Sequence, residues 1–129
     1  MRFLLDANAV IALLKGHPPM ARHVRQHGPS DFGIPSVVMQ ELYFGAFKSR
    51  RREANLGRLA MLHFEVLPFD LEDAVHAGEV RALLALAGTP IDPYHLMIAG
   101  QALARDLTVF TPNIGEFGRV AGLRIADWQ

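Results

Sequence analysis

Apolar residues run along this chain in two rhythms: short unbroken runs, and longer stretches where they recur at helical spacing. The runs predict buried strands over residues 2–5, over Phe32 to Ile34 (closed by Pro35) and over Thr108 to Thr111. Phe64 to Pro68 alternates and is β-like, and Leu123 to Ala126 predicts a weak final strand. Between them the spacing predicts a helix from Ala7 to Lys15, stopped by Gly16 and Pro18, and a polar-faced one from Met20 to His27, ending at Gly28. Ser36 reads as the N-cap of a helix over 37–48, and Arg51 to Leu62 forms another. Asp70 and Asp73 resemble a capping box that opens a long helix to about Ala87, broken by Gly88-Thr89-Pro90. Asp92 then caps a helix with Pro93 at its first position, running to Arg105.

Short apolar strands alternating with helices imply an α/β fold with a parallel sheet covered on both faces. Sites in such sheets lie beyond the carboxyl ends of the strands. Asp6 falls just past the first strand, and Asn113 and Glu116 just past the Thr108–Thr111 strand, so two distant segments point at one rim. Glu41 shares a helical stripe with Val37, Val38, Leu42 and Gly45, which predicts an inward-facing acid. A desolvated carboxylate is costly unless something offsets it. A divalent cation held by several carboxylates is a common offset and makes a hydrolytic centre possible. Each acid also has a plainer reading: Asp6 as a helix cap, Glu41 as partner of a buried arginine, Glu116 as a solvated loop residue.

Composition narrows the picture. The 129 residues, half of them apolar, fit a single domain over 1–129 with a real core, and show no repeat, low-complexity tract or linker. There is no cysteine, so neither a disulfide framework nor a thiolate metal site is available. No signal-peptide pattern and no long apolar span is present, so the expected location is cytoplasmic, away from the membrane. The formal net charge is zero, so any nucleic-acid contact needs clustered basic groups. Lys48, Arg50, Arg51 and Arg52 are such a cluster, readable as a phosphate grip or as a solvated helix start. Tyr43, Phe44 and Phe47 add apolar bulk beyond the inward stripe of the Glu41 helix, which means either deeper burial or a partner surface.

Several short motifs, in order and along essentially the whole chain, resemble those of PIN domains. Phe3-Leu4-Leu5-Asp6-Ala7-Asn8 looks like their apolar run followed by Asp-x-Asn, and Pro35-Ser36-Val37-Val38-Met39-Gln40-Glu41-Leu42 like their Ser-containing helix with its Glu-Leu core. Ile98-Ala99-Gly100-Gln101-Ala102 is similar to the later Ile-Ala helix, Thr111-Pro112-Asn113-Ile114-Gly115-Glu116-Phe117 to the Thr-x-Asn-x-x-acid-Phe turn, and Asp127-Trp128 to the usual ending. Among PIN domains the resemblance is strongest to the VapC toxins of bacterial toxin–antitoxin pairs. It implies a PIN-like three-layer α/β/α fold with a short, mostly parallel central sheet. It also implies an endoribonuclease that uses Mg²⁺ or Mn²⁺, a homodimer, and a VapB-type antitoxin that silences it. Carried over position by position, the resemblance implies that Asp6 and Glu41 hold the metal, while Glu116, the acid before the Phe and a further metal candidate, and Asn113, where some members carry Asp and many Asn, complete or orient its water shell.

One position departs from the pattern. Members usually carry Asp where this chain has His95, and often Gly where it has Asp92. His95 shares a stripe with Ile98, Ala99 and Ala102 and is expected to face the same pocket. Three readings stand: His95 ligates the metal, Asp92 supplies the missing carboxylate, or the domain binds antitoxin or RNA with weak or no cleavage. Asp92 as a plain N-cap and His95 as a hydrogen-bonded pocket residue are the corresponding structural readings.

Overall fold

The computed structural model describes all 129 residues. Five strands, β1 (Phe3–Leu5), β2 (Phe32–Pro35), β3 (Glu65–Leu67), β4 (Thr108–Phe110) and β5 (Ile125–Ala126), form one sheet in the order β3-β2-β1-β4-β5. Every adjacent pair is parallel. Seven helices join them: α1 (Ala7–Leu14), α2 (Pro18–His27), α3 (Ser36–Lys48), α4 (Arg52–Ala60), α5 (Leu71–Leu86), α6 (Pro93–Arg105) and α7 (Ile114–Phe117). The chain steps outward from β1 to β2 and β3, then returns past β1 to β4 and β5. Right-handed crossovers then put α1–α4 and α5–α7 on opposite faces, giving three layers. The contacts agree: α1 packs on α2 and α3, and α3 on α4, while α6 packs on α5 and α7. α3 and α6 also touch, which brings the Glu41 helix to the His95 helix.

The central strands are apolar because both faces are covered. Phe3, Leu4 and Leu5 are all buried. The Phe3 ring lies against Phe32 of β2 and Phe110 of β4, at 5.3 and 5.1 Å between centroids, so one aromatic layer spans three strands. α5 and α6 approach closely because Gly100 lacks a side chain: a Cβ there would lie 2.6 Å from the Cα of Ala77.

Local expectations needed few corrections. Asp70 and Asp73 form the capping box, and Asp92 caps α6 ahead of Pro93. Ser36 is not an N-cap. The chain passes straight from β2 into α3, Pro35 occupies the cap position without a side-chain bond, and Ser36 is the first helical residue. The prolines expected to precede α2 lie inside it, where a missing N–H costs nothing in the first turn. The stripe drawn through Glu41 was slightly misplaced. α3 buries Val38, Leu42 and Ala46, while Gly45 is exposed and Glu41 is half-buried at the stripe's margin. The repeat at every fourth residue sets the inward line, and Glu41, one residue before Leu42, is rotated about 100° from it.

A buried polar lock ties the β3–α5 turn to α6. The Asp73 carboxylate accepts from Arg105 Nε (3.3 Å) and Nη2 (3.0 Å) and from Gln101 Nε2 (3.1 Å), and Arg105 also donates to the Pro68 carbonyl (2.8 Å). Burial opposes ionisation of Asp73, but the Arg105 and Asp70 hydrogen bonds outweigh it and hold its pKa below the ordinary value. The pair therefore contributes stability above the ordinary aspartate range, lost as pH falls through the lower folded value. Replacing Arg105 by Met is expected to cost about 2–3 kcal/mol near neutrality, because it strands a buried carboxylate on a partly solvated partner site. Urea denaturation at neutral pH checks this, and the gap between the two proteins should narrow in acid.

Candidate active site

The strand order reverses at β1, with β2 on one side and β4 on the other, so a crevice opens at the carboxyl ends of β1 and β4. Asp6 stands at that point, only 4% exposed. Its Oδ1 accepts from the Ala9 backbone N–H (2.8 Å), capping α1, and its Oδ2 accepts from the Thr111 hydroxyl (2.5 Å) just past β4. Asp6 thus serves as a cap, and a second strand fixes its other oxygen. Thr111 was the residue whose role went unread. Its signal was a threonine directly after a buried strand, and its partner could not be named without the β1–β4 pairing. Its hydroxyl oxygen also accepts from the Asn113 N–H (3.0 Å), which steers the following turn.

Burial raises the Asp6 pKa, partly countered by the Thr111 and Ala9 hydrogen bonds and by the nearby His95. Glu41 is likewise raised, first by burial, with His95 acting against this and the Asp92 and Asp6 carboxylates adding to it. These mutual effects bring Asp6, Glu41, Asp92 and His95 into one electrostatic neighbourhood. The chain's ion pairs are His95–Glu116, Arg105 with Asp70 and Asp73, and Arg124–Asp106. Asp6, Glu41 and Asp92 are in none of them, so Glu41 has no buried arginine partner.

Glu116 sits on the other side of His95. Its Oε1 accepts from the Asp92 N–H (2.6 Å) and meets His95 Nδ1 at 3.1 Å. The first of these contacts, then the second, lowers its pKa. Asn113 caps α7 and accepts from the Glu116 N–H at 3.4 Å, so it positions Glu116. Asp92 Oδ1 is occupied by the Tyr94 and His95 N–H groups (2.9 and 3.4 Å). Lys48 and the Arg50–Arg52 run are not at this rim. Lys48 lies two turns beyond Glu41 at the far end of α3, with its ammonium over Phe44 (4.8 Å), and Arg52 lies over Phe47 (5.0 Å). Phe44 and Phe47 are 61% and 51% exposed, and Tyr43 is half-buried.

A parallel α/β sheet with carboxylates outside any ion pair near its switch point has its ligand crevice there. The PIN domain profile matches residues 3–123. The chain is 42% identical, over 99% of its own length and 98% of the other, to the tRNA(fMet)-specific endonuclease VapC of Salmonella typhimurium. It is 39% identical, over 100% and 99%, to the protein of the same name from Shigella flexneri. The crystal structure of DNA-bound VapBC from Salmonella typhimurium superposes with a TM-score of 0.93 at 41% identity, covering 100% of this chain and 99% of that one. VapBC2 of Rickettsia felis, bound to a DNA fragment from its promoter, gives 0.92 at 28% identity, covering 100% of both chains. The chain belongs to the PIN-domain family, among the VapC ribonucleases, the toxins of toxin–antitoxin pairs. A non-catalytic domain, the alternative raised by His95, finds no favour in these likenesses.

Nucleases of this family generally depend on a divalent cation. The donor types present suit one. Oxygen donors suit a hard cation, and the like charges on Asp6, Asp92 and Glu41 have no lysine or arginine to neutralise them. No three of the chain's His, Asp and Glu side chains stand close enough together to hold a metal ion between them.

Proposed function

We propose that Asp6 and Glu41 hold a divalent cation, Mg²⁺ or Mn²⁺, and that the chain uses it to hydrolyse RNA. The observation that carries this reading is Asp6: a buried carboxylate, fixed by two hydrogen bonds, at the switch point and without a cationic partner. When bound, the cation would lower the pKa of water and stabilise charge developing at phosphorus. The chain's own residues do the rest. Thr111 and the α1 N-terminus hold the Asp6 carboxylate in one orientation. Glu116 and Asn113 hold the α6 N-terminus, and with it Asp92 and His95, against the site. Asp92 and His95 complete the candidate ligand set.

The substrate this reading favours is initiator tRNA, the RNA in the names of the Salmonella and Shigella relatives. Purified protein should cut that tRNA with Mn²⁺ or Mg²⁺ and stop when the cation is chelated. Undiminished cutting in chelator would overturn the cation role. No helix is long and apolar enough to cross a membrane, and a cytoplasmic site of action follows from an RNA target.

The same proposal includes a VapB-type antitoxin on the outer face of α3, supported by the exposed Phe44 and Phe47. Phe44→Glu is expected to weaken that complex by more than about 30-fold, the loss of one aromatic anchor. Co-purification and titration of the two proteins check it, and unchanged affinity would move the antitoxin elsewhere. A single domain that forms a homodimer completes the reading. The exposed Leu71, Val75 and Leu86 of α5 are the apolar surface offered to a second copy.

A further inference from the structure

A cavity of about 570 Å³ lies beside the acid cluster, and none of the proposed catalytic groups uses it. Asn8, Ala12 and Lys15, one face of α1, form one side, and the Gly16-His17-Pro18 turn closes the end. Pro112 and Trp128 form the opposite wall. Both sides begin at the site. Asn8 is two residues beyond Asp6, and Pro112 directly follows Thr111, whose hydroxyl holds Asp6. From Asn8 to Lys15 the helix face runs about 10 Å, and the volume lies within the range of small-ligand sites.

Its lining combines a cation, an imidazole, an indole and an amide. Lys15 is exposed and forms no ion pair, so its charge is free for a phosphate. The exposed His17 ring stands edge-on to the Trp128 indole, 5.5 Å between centroids at 80°, which leaves the imidazole braced at the cavity end. Trp128 is 5% exposed, and its Nε1–H has no hydrogen-bond partner in the protein. Unpaired nucleotides are recognised by this combination: a cation for the backbone, a ring for stacking, and amide or N–H groups for the base edge.

We propose that this cavity receives an unpaired RNA nucleotide flanking the scissile phosphate, with Lys15 on its phosphate, His17 against its base and Asn8 on its edge. The proposal rests on the ribonuclease reading, since the site supplies the strand that runs past Asp6. It places part of substrate selection on the α1–α2 turn, away from the basic cluster at the end of α3.

The test uses the full chain and labelled initiator tRNA, with binding followed by anisotropy in chelator and cleavage followed separately with Mn²⁺. Lys15→Met should lower the slope of log affinity against log salt by about 0.7, one phosphate contact on a single strand. His17→Ala should weaken binding about tenfold, as loss of a stacking ring does. In cleavage the loss should fall on KM rather than kcat. Both positions are exposed, and melting curves establish that the variants fold. Native binding and slope in both variants would overturn the subsite while leaving the nuclease reading intact. Absence of tRNA binding by the native chain would also overturn it. Altered binding in the variants, with no cutting by the native chain, would keep the cavity as an RNA contact but overturn its placement beside a scissile phosphate, together with the nuclease reading. Variants that bind tRNA normally but escape inhibition by the antitoxin would assign the cavity to that protein instead and sink the proposal.

Discussion

Asp6→Asn should abolish RNA cleavage while leaving the protein at least as stable as the native chain. Asparagine is as good an N-cap as aspartate and can accept from the Ala9 N–H as Asp6 does. It cannot offer a cation two anionic oxygens. Loss of a cation anchor worth several kcal/mol of transition-state stabilisation corresponds to at least a hundredfold drop, roughly, in kcat/KM. Stability moves the other way. Burial raises the Asp6 pKa, so the folded state binds its proton more tightly than the unfolded chain does. Stability from this group is greatest below the ordinary carboxyl range and declines as pH rises toward the folded value, leaving a penalty at neutrality. The amide removes that penalty. Melting the two proteins without cation at neutral pH, beside a cleavage assay, checks both halves. An active Asp6→Asn protein would end the proposed mechanism, and a large fall in Tm would show that the carboxylate is chiefly structural.

The second large effect is expected at His95. Its ring contacts Glu116 through Nδ1, packs against Phe117 at 5.0 Å between centroids, and acts electrostatically on both Asp6 and Glu41. An imidazole brings no negative charge to a hard cation, so Mg²⁺ should serve the native protein poorly and Mn²⁺, which accepts nitrogen more readily, should serve it better. His95→Asp should reverse that preference by about tenfold or more, the scale of ligand-shell changes in metal sites. The variant also loses the bond to Glu116 and sets a fourth carboxylate beside Asp6, Glu41 and Asp92. Without cation it should therefore melt below the native chain, and with cation the gap should close. Activity of both proteins titrated with Mg²⁺ and with Mn²⁺ decides the matter. Equal Mg²⁺ dependence would put His95 outside the shell and leave Asp92 as the remaining acid at this end of α6.

The rhythm of apolar residues and the caps were enough to locate nearly every element, because those signals are local. Asp70 and Asp73 bond each other across one helical turn, and Asp92 bonds the N–H groups of Tyr94 and His95. Such contacts are set by neighbours in the chain and need no fold. The position of Asp6 after β1, and the alternation that implies a parallel sheet, were legible for the same reason. Boundaries moved where a local signal had a rival, as at Ser36, where β2 runs directly into α3. The short α7 helix escaped notice because four residues are too few to show a period.

The pairing of distant groups was decided by tertiary structure alone. The Thr111 hydroxyl meets Asp6 across 105 residues of sequence, and only because β1 and β4 lie side by side at the switch point. Glu116 was expected at the metal site, with a solvated loop acid as its plainer reading; the turn after β4 carries it to the N-terminus of α6, where the Asp92 N–H and His95 hold it. The basic run after α3 looked like a neighbour of the acids, but the length of that helix carries it away from the rim. Arg105 and Asp73 gave no sign of each other until α5 and α6 packed through Gly100. Period and capping are short-range physics that one segment can satisfy by itself. Strand order and helix docking minimise exposed apolar area over the whole chain, and the partner of each buried polar group is fixed only once that global choice is made.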